Sequence, residues 1–382
     1  MKRVLVTGGA GFVGRHAVAA LVARGFEVQA IGRTAPKGVH AFHAADLLDP
    51  VQRRAAVQAA SASHLLHLAW VTTPGRYWQA PDNLDWTAAS LDLVRTFREA
   101  GGTRAVVAGT CAEYDWTGIN LLPREELESP SPRTRGEGRD DLVVGATSGS
   151  GGEGASWTEP HPAAPPHPRL PPRFRDDRVA EALSPRAGRG DAAAIREGHL
   201  SEVAPCRPAT LYGAAKDGLR RILQAYAATA GLSLGWGRLF YLYGPGETPG
   251  RLVGDAARAL LAGQRLATSE GRQRRDFLHV ADVGAAFAAL LDSGVEGPVN
   301  LGSGEAVPVR RILETIGALT GRPDLIDFGA RPLGPTEPAC IEADIRRLTD
   351  EVGFSARYGL EQGLEQTVAA WRAALSNAAS IP

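Results

Sequence analysis

Cysteine and lysine are scarce in this chain, and each scarcity narrows what the protein can be. The three cysteines, Cys111, Cys206 and Cys340, stand far apart and offer neither zinc-ligand spacing nor a disulfide framework, which fits a reducing cytoplasm. Lysine occurs only at Lys2, Lys37 and Lys216, so basic charge is almost all arginine and the lysine kept at 216 is informative. Net charge is absent as well, with 42 basic and 42 acidic residues, and this argues against nucleic acid or an anionic membrane as principal partner. No apolar run approaches the roughly 18 residues of a membrane span. The first strand, expected from about residue 3, leaves no room for a signal peptide. Histidines 161, 167 and 199 have no metal-like partners, so no metal is expected and they read as solvated.

What is there is a chain of 382 residues, 44% apolar, long enough for one large domain or two unequal lobes around a substantial core. It opens as strand, glycine turn, helix: Val4, Leu5 and Val6 form a short buried-strand run, and Gly8, Gly11 and Gly14 precede an apolar-periodic stretch from His16 to Gly25. Such a turn lets the backbone bring a helix N-terminus up to a pyrophosphate. Further strands are expected at Glu27 to Ile31, His40 to Phe42, His64 to Ala69 and Arg104 to Ala108, with helices over 50–60 and 83–100. Strands alternating with helices predict an α/β doubly wound parallel sheet that binds ligands at the carboxyl ends of its strands. Thr7, Gly32, Ala69 and Thr110 fall at such ends.

Tyr212 and Lys216, in Tyr-Gly-Ala-Ala-Lys, share one face of an expected helix. A tyrosine hydroxyl, with an ordinary pKa of about 10, is a poor acid or base near neutrality, and an adjacent ammonium favours its phenolate. Taken in order, the segments Thr7 to Gly14, Asp46-Leu47, His67-Leu-Ala69, Thr110 with Tyr114, Tyr212-x-x-x-Lys216, Tyr243-Gly-Pro245, Arg275 to Asp282 and Asn300 to Gly304 resemble the extended short-chain dehydrogenase/reductase family. These are the NAD(P)-dependent nucleotide-sugar epimerases, dehydratases and reductases. The resemblance covers most of the chain outside about 120–200. It implies a Rossmann-type sheet with a smaller C-terminal substrate-binding lobe, and a catalytic site of Thr110, Tyr212 and Lys216. Gly8, Gly11, Phe12, Val13, Gly14, Asp46, Leu47, Leu68, Ala69 and Trp70, with Tyr212 and Lys216, would hold the dinucleotide. Asp46 would lie near the adenine, or cap the helix that follows.

Cofactor choice turns on the end of the second strand, where an acidic residue would accept hydrogen bonds from the 2′-hydroxyl of NAD. This chain has Gly32 and Arg33 there, and a guanidinium suits a 2′-phosphate, unless Arg33 is an ordinary solvated loop residue. NADP(H) is therefore preferred over NAD(H). After Thr110 the family's dehydratases carry an Asp-Glu pair, whereas here stand Cys111 and Ala112, so elimination of water is not expected. The reading is reduction of a nucleotide-linked 4-keto-6-deoxysugar. An NAD-retaining 4-epimerase and a non-catalytic NADP-binding sensor or scaffold are the alternatives. For the nucleotide-diphosphate sugar, the resemblance implies contacts from Thr110, Cys111, Ala112, Tyr241, Arg275 and Arg331. The two arginines would flank the diphosphate or else form structural salt bridges.

Domains are expected at 1–119 with 202–235 for the cofactor and at 236–382 mainly for substrate, interrupted by an irregular stretch over 120–201. That stretch holds eleven of the chain's 26 prolines between residues 121 and 200. It reads as a disordered insertion, a lid over the sugar, or shifted translation of GC-rich DNA, with helical pattern only at Asp177 to Leu183 and Asp191 to His199. Family relatives dimerise through two helices, which implies a homodimer here through about 83–100 and 212–230. The apolar stripe Leu219, Ile222, Leu223 and Tyr226 suits either that interface or packing on the sheet.

Overall fold

The computed structural model describes residues 2–117, 119–120, 194–334 and 336–379. Its main layer is a seven-stranded parallel sheet built from β1 (Arg3–Thr7), β2 (Glu27–Gly32), β3 (Ala41–Ala44), β4 (His64–His67), β5 (Arg104–Thr110), β7 (Ser233–Leu239) and β11 (Gly297–Leu301). The order is β11-β7-β5-β4-β1-β2-β3. Because β1 has β2 on one side and β4 on the other, the chain reverses direction of travel across the sheet there. A ligand crevice opens at that point, at the carboxyl ends.

Both faces of this sheet are covered, which is why its strands read as continuous apolar runs. Alternate residues of β1 serve opposite faces. Val4 and Val6 join the core under α1 (Gly14–Ala23) and the helix Val280–Asp292, while Leu5 joins the core under α2 (Pro50–Ala60), α3 (Asp82–Glu99) and α4 (Leu211–Ala230). The sequence stripe on α4 divides accordingly: Leu219 and Leu223 are buried against the sheet, and Ile222 is 53% exposed.

A smaller sheet runs β12 (Ala306–Pro308), β10 (Arg274–His279), β14 (Cys340–Ala343), β6 (His199–Leu200), with β8 (Tyr241–Tyr243) also paired to β10. Helices α5 (Leu252–Leu261), α7 (Val309–Thr320) and α8 (Leu360–Ala379) surround its own core; α6 is the helix Val280–Asp292. No helix among the described residues is long and apolar enough to cross a membrane.

Residues past 235 are shared between the layers, since most of β7 and all of β11 complete the large sheet and α6 packs on α1. Of the helical pattern at Asp191 to His199, the described residues form one helical turn, at 194–196. Gly198, at φ +91 and with Cys340 O only 2.2 Å from where a Cβ would sit, ends that turn. His199 and Leu200 then pair with Glu342 and Ala343, and the His199 ring lies 2.5 Å from the Glu342 carboxylate rather than being merely solvated. The possible helix at Asp177 to Leu183, His161, His167 and the three readings of the Pro-rich stretch fall outside the described residues.

Candidate active site

At the carboxyl ends of β1, β4 and β5 lies a cavity of about 490 Å³. One wall is the glycine turn: Gly8, Gly11, Phe12, Val13 and Gly14 all line it, followed by Leu68, Ala69 and Trp70. The glycines are required by close approach. A Cβ on Gly14 would meet Gly8 O at 2.0 Å, and one on Gly8, which sits at φ +70, would meet Ala69 N at 2.8 Å. Beneath the turn, the Thr7 hydroxyl accepts from the N–H groups of Leu68 and Ala69 and lies 2.7 Å from His67 Nδ1. With its lone pairs so engaged, Thr7 donates to Nδ1, leaving the proton on Nε2 to reach Ser90 Oγ at 2.8 Å. Burial, then the charge of Lys216, lowers the His67 pKa to about 3, so this ring is a neutral strut. A backbone cradle whose side-chain space is already filled fits a dinucleotide pyrophosphate.

Arg33, Asp46 and Leu47 do not line this cavity. Arg33 is exposed beyond β2. Asp46 Oδ1 accepts from Leu48 N–H, and the helix cap it was expected to provide comes instead from Asp49, whose carboxylate accepts from Val51 and Gln52. Leu47 is buried in the core under α2.

The catalytic expectation gathers in one place. Thr110 ends β5, beside the Tyr212 phenol. Tyr212 and Lys216 sit one turn apart on α4, which begins under a Thr210 cap and ends at Gly231 in the left-handed region. Lys216 is 3% exposed; its Nζ donates to Ala108 O at 2.8 Å and stands 3.7 Å over the Trp70 ring. Burial lowers its pKa to about 7, against the pull of Glu113. For Tyr212, burial and the neighbouring Tyr77 raise the pKa, outweighing the Thr110 hydrogen bond. Tyr77 and Trp78 stack on each other and meet the Tyr212 ring edge-on at 4.9 and 5.8 Å.

Sequence reasoning missed what holds Thr110 still. Glu113, fully buried, accepts from Thr110 N–H and Trp236 Nε1 through one oxygen and from Arg238 Nε through the other, each at 2.9 Å. Arg238 also donates to the Tyr114 hydroxyl, which donates to Asn300. The available signal was Thr110-x-x-Glu113, a capping-box spacing.

On the substrate side, Cys111 and Tyr241 line the cavity. Burial pushes the Cys111 thiol up to about 12. Ala112 does not line it; its carbonyl packs where a Cβ of Gly213 would be, 2.3 Å away. Arg275 reaches the wall, yet its guanidinium is paired with Glu337 and donates to the carbonyls of Arg274 and Pro338. A cation 3% exposed needs such a partner. Arg331 is not on the cavity wall and its N–H bonds Thr268 O. Further wall residues went unnoticed in the sequence: Tyr77, Trp78, Trp116, Glu247 and Arg251. No cluster of metal-ligating side chains occurs among the described residues.

Comparison with known proteins agrees with this geometry. The chain is 28% identical over 187 residues to UDP-glucuronic acid decarboxylase 1 of Xenopus tropicalis, covering 48% of this chain and 44% of the relative. It is 25% identical over 177 residues to UDP-glucose 4-epimerase of Corynebacterium glutamicum, covering 42% and 53%. The chain thus spans about half the length of these curated relatives. The solved structure of MoeE5 with UDP-glucose and NAD superposes with a TM-score of 0.68 at 26% identity, over 98% of this chain and 99% of that one. The NAD dependent epimerase/dehydratase family matches residues 4–136 and 187–302, more than half of the chain, and with its Rossmann-type sheet and Thr/Tyr/Lys site the protein belongs to that family of nucleotide-sugar enzymes.

Proposed function

We propose that the protein uses NADPH to reduce a nucleotide-linked 4-keto-6-deoxysugar. The observation that carries this reading is the lack of an acid/base pair on the cavity side of Thr110. Cys111 holds its proton to about pH 12, Ala112 has none to give, and Glu113 turns its carboxylate into the core toward Trp236 and Arg238. Nothing there would shuttle ring protons for an elimination. Interconversion of a carbonyl and a hydroxyl is what remains within reach of Thr110, Tyr212 and Lys216.

Burial keeps the Tyr212 phenol protonated at neutral pH, the form required to donate to a carbonyl oxygen. Thr110 fixes the phenol's direction, and the charge of Lys216 would favour the phenolate left behind. The glycine turn, Trp70 and Lys216 would hold the dinucleotide, which supplies the hydride to the carbonyl carbon. Arg33 at the end of β2, with no carboxylate beside it in Gly32-Arg33-Thr34, supports NADP(H). A homodimer through α3 and α4 belongs to the same reading; Leu84 and Ile222, exposed on these helices, support it, and sedimentation equilibrium tests it.

A second reading, an NAD-retaining 4-epimerase, would use the same three residues. It is favoured by the likeness to a UDP-glucose 4-epimerase and to a structure containing NAD. Oxidation of NADPH and NADH, measured with a panel of nucleotide-linked 4-keto-6-deoxyhexoses, separates the two. The expected result is turnover with NADPH that falls roughly 10²- to 10⁴-fold in Tyr212→Phe. No net oxidation, with NAD⁺ retained through purification, would instead indicate the epimerase. NADP binding without any turnover would indicate the sensor.

A further inference from the structure

We infer that Asn83 is the positioning residue of the catalytic pair: one buried amide fixes Trp70 against Lys216 and the Tyr77–Trp78 turn against Tyr212. This rests on the Thr110, Tyr212 and Lys216 site of the reading above. Asn83, in the first turn of α3, is 0% exposed and does not line the cavity, so its effect on the chemistry runs through other side chains. Its whole amide is committed. Oδ1 accepts from the Trp70 indole N–H at 2.8 Å, and Nδ2 donates to the carbonyls of Tyr77 and Ala80, each at 2.8 Å. Turned over, the amide would set its own N–H groups against the indole N–H and its oxygen against two carbonyls, so one orientation alone satisfies the site.

Both arms of Asn83 lead to a catalytic side chain. The Trp70 ring packs on Trp86, one turn further along α3, with 6.2 Å between ring centroids, and lies 3.7 Å from Lys216 Nζ. An aromatic face so close favours the ammonium over the amine. The other arm holds the turn whose Tyr77 and Trp78 rings stack at 4.5 Å and meet Tyr212 edge-on. That turn also reaches the backbone of α4: Trp78 O accepts from Tyr212 N–H at 3.0 Å, and Gln79 Oε1 accepts from Leu211 N–H at 3.3 Å. First-turn groups of this kind have no acceptor inside their own helix. Without the Asn83 amide, the Trp70 indole and the Tyr77 and Ala80 carbonyls lose this partner, and the rings against Lys216 and Tyr212 are freed to shift. A displacement of about 1 Å at a reacting group costs roughly a hundredfold in rate.

Because the chain has only three lysines, carbon-13 NMR of the full chain carrying labelled lysine reads Lys216 directly, with Lys216→Met assigning its signal. The other ionisable groups around Lys216 are Tyr212 on its own helix, Glu113 just past β5 and His67 on β4, and replacing Asn83 alters none of them. Asn83→Leu is expected to lower the Lys216 titration midpoint, shifting its protonation equilibrium roughly two- to thirtyfold toward the amine. Asn83→Ser, too short to reach the indole, makes the same test if the leucine variant does not fold. In Trp70→Phe, which keeps a ring and lacks the indole N–H, adding Asn83→Leu should bring no further shift. A midpoint that Asn83→Leu leaves unchanged or raises, or a second shift in the Trp70→Phe background, overturns the assignment. The Tyr212 arm is read in NADPH oxidation, where Asn83→Leu should lower kcat roughly tenfold or more and keep the KM for the sugar within about twofold. An unchanged kcat overturns that arm. A wild type that shows no turnover, with the lysine shift present, overturns the reductase reading and leaves the positioning of Lys216 standing.

Discussion

Lys216 carries a folding cost that pH should reveal. In the fold its pKa is lowered to about 7 by burial, against an ordinary value of 10.5. Between those values the unfolded chain holds a proton that the native state has released, so this residue makes stability rise with pH. Below about pH 7 the penalty is fully present, and above the ordinary value it is gone. Urea unfolding of the wild type and Lys216→Met across pH 6 to 10 isolates the effect, since other titrating groups cancel in the difference. The stability of the wild type relative to the variant is expected to rise steadily over that range, and a flat difference would show that Lys216 keeps its proton when buried. At this scale the sequence was readable where a local pattern carried the chemistry: Gly8 to Gly14 and Tyr212-x-x-x-Lys216 each lie within one turn of backbone. The pairing of Arg275 could not be read locally, because its partner, Glu337, lies 62 residues away.

Elements are tied together here by buried charge as much as by apolar packing. The end of β5 is held to β7 by Glu113, which grips Thr110 N–H on its own strand and Trp236 and Arg238 on the next. Arg238 is 1% exposed and Glu113 0%, so removing one partner strands the other without water. Breaking such a pair typically costs about 3–5 kcal/mol. Glu113→Gln is expected to lower the unfolding free energy by about that amount in urea, and to reduce turnover by letting Thr110 drift from Tyr212. Replacing both residues, as Glu113→Gln with Arg238→Met, should recover part of the stability; an unperturbed single variant would mean that Arg238 does not depend on this carboxylate. The strand and helix pattern foretold β5 and α4 because each has its own periodicity. The tie between β5 and β7 was illegible, since those strands are separated by more than a hundred residues and only the sheet register places Gly109 opposite Arg238.

As a whole molecule, the chain closes both layers around the cavity while leaving and re-entering the described fold at neighbouring points. Asn120 N–H donates to Arg196 O at 2.8 Å, and Asn120 O accepts from Ala339 N–H at 2.9 Å, so the stretch between 120 and 194 begins and ends beside β14. Closing a loop costs entropy that grows slowly with its length, and shortening one about tenfold returns about 2 kcal/mol. Replacing residues 121–193 with a short Gly/Ser linker is therefore expected to leave the thermal midpoint unchanged or slightly higher. NADPH binding, read by fluorescence quenching of the tryptophans, should persist because the glycine turn and Trp70 are untouched. Retained cofactor binding with lost turnover would assign the excised residues to the sugar side of the cavity. Loss of the folded state itself would mean that they complete the packing around Ile195 and Leu200, the small core nearest the excision.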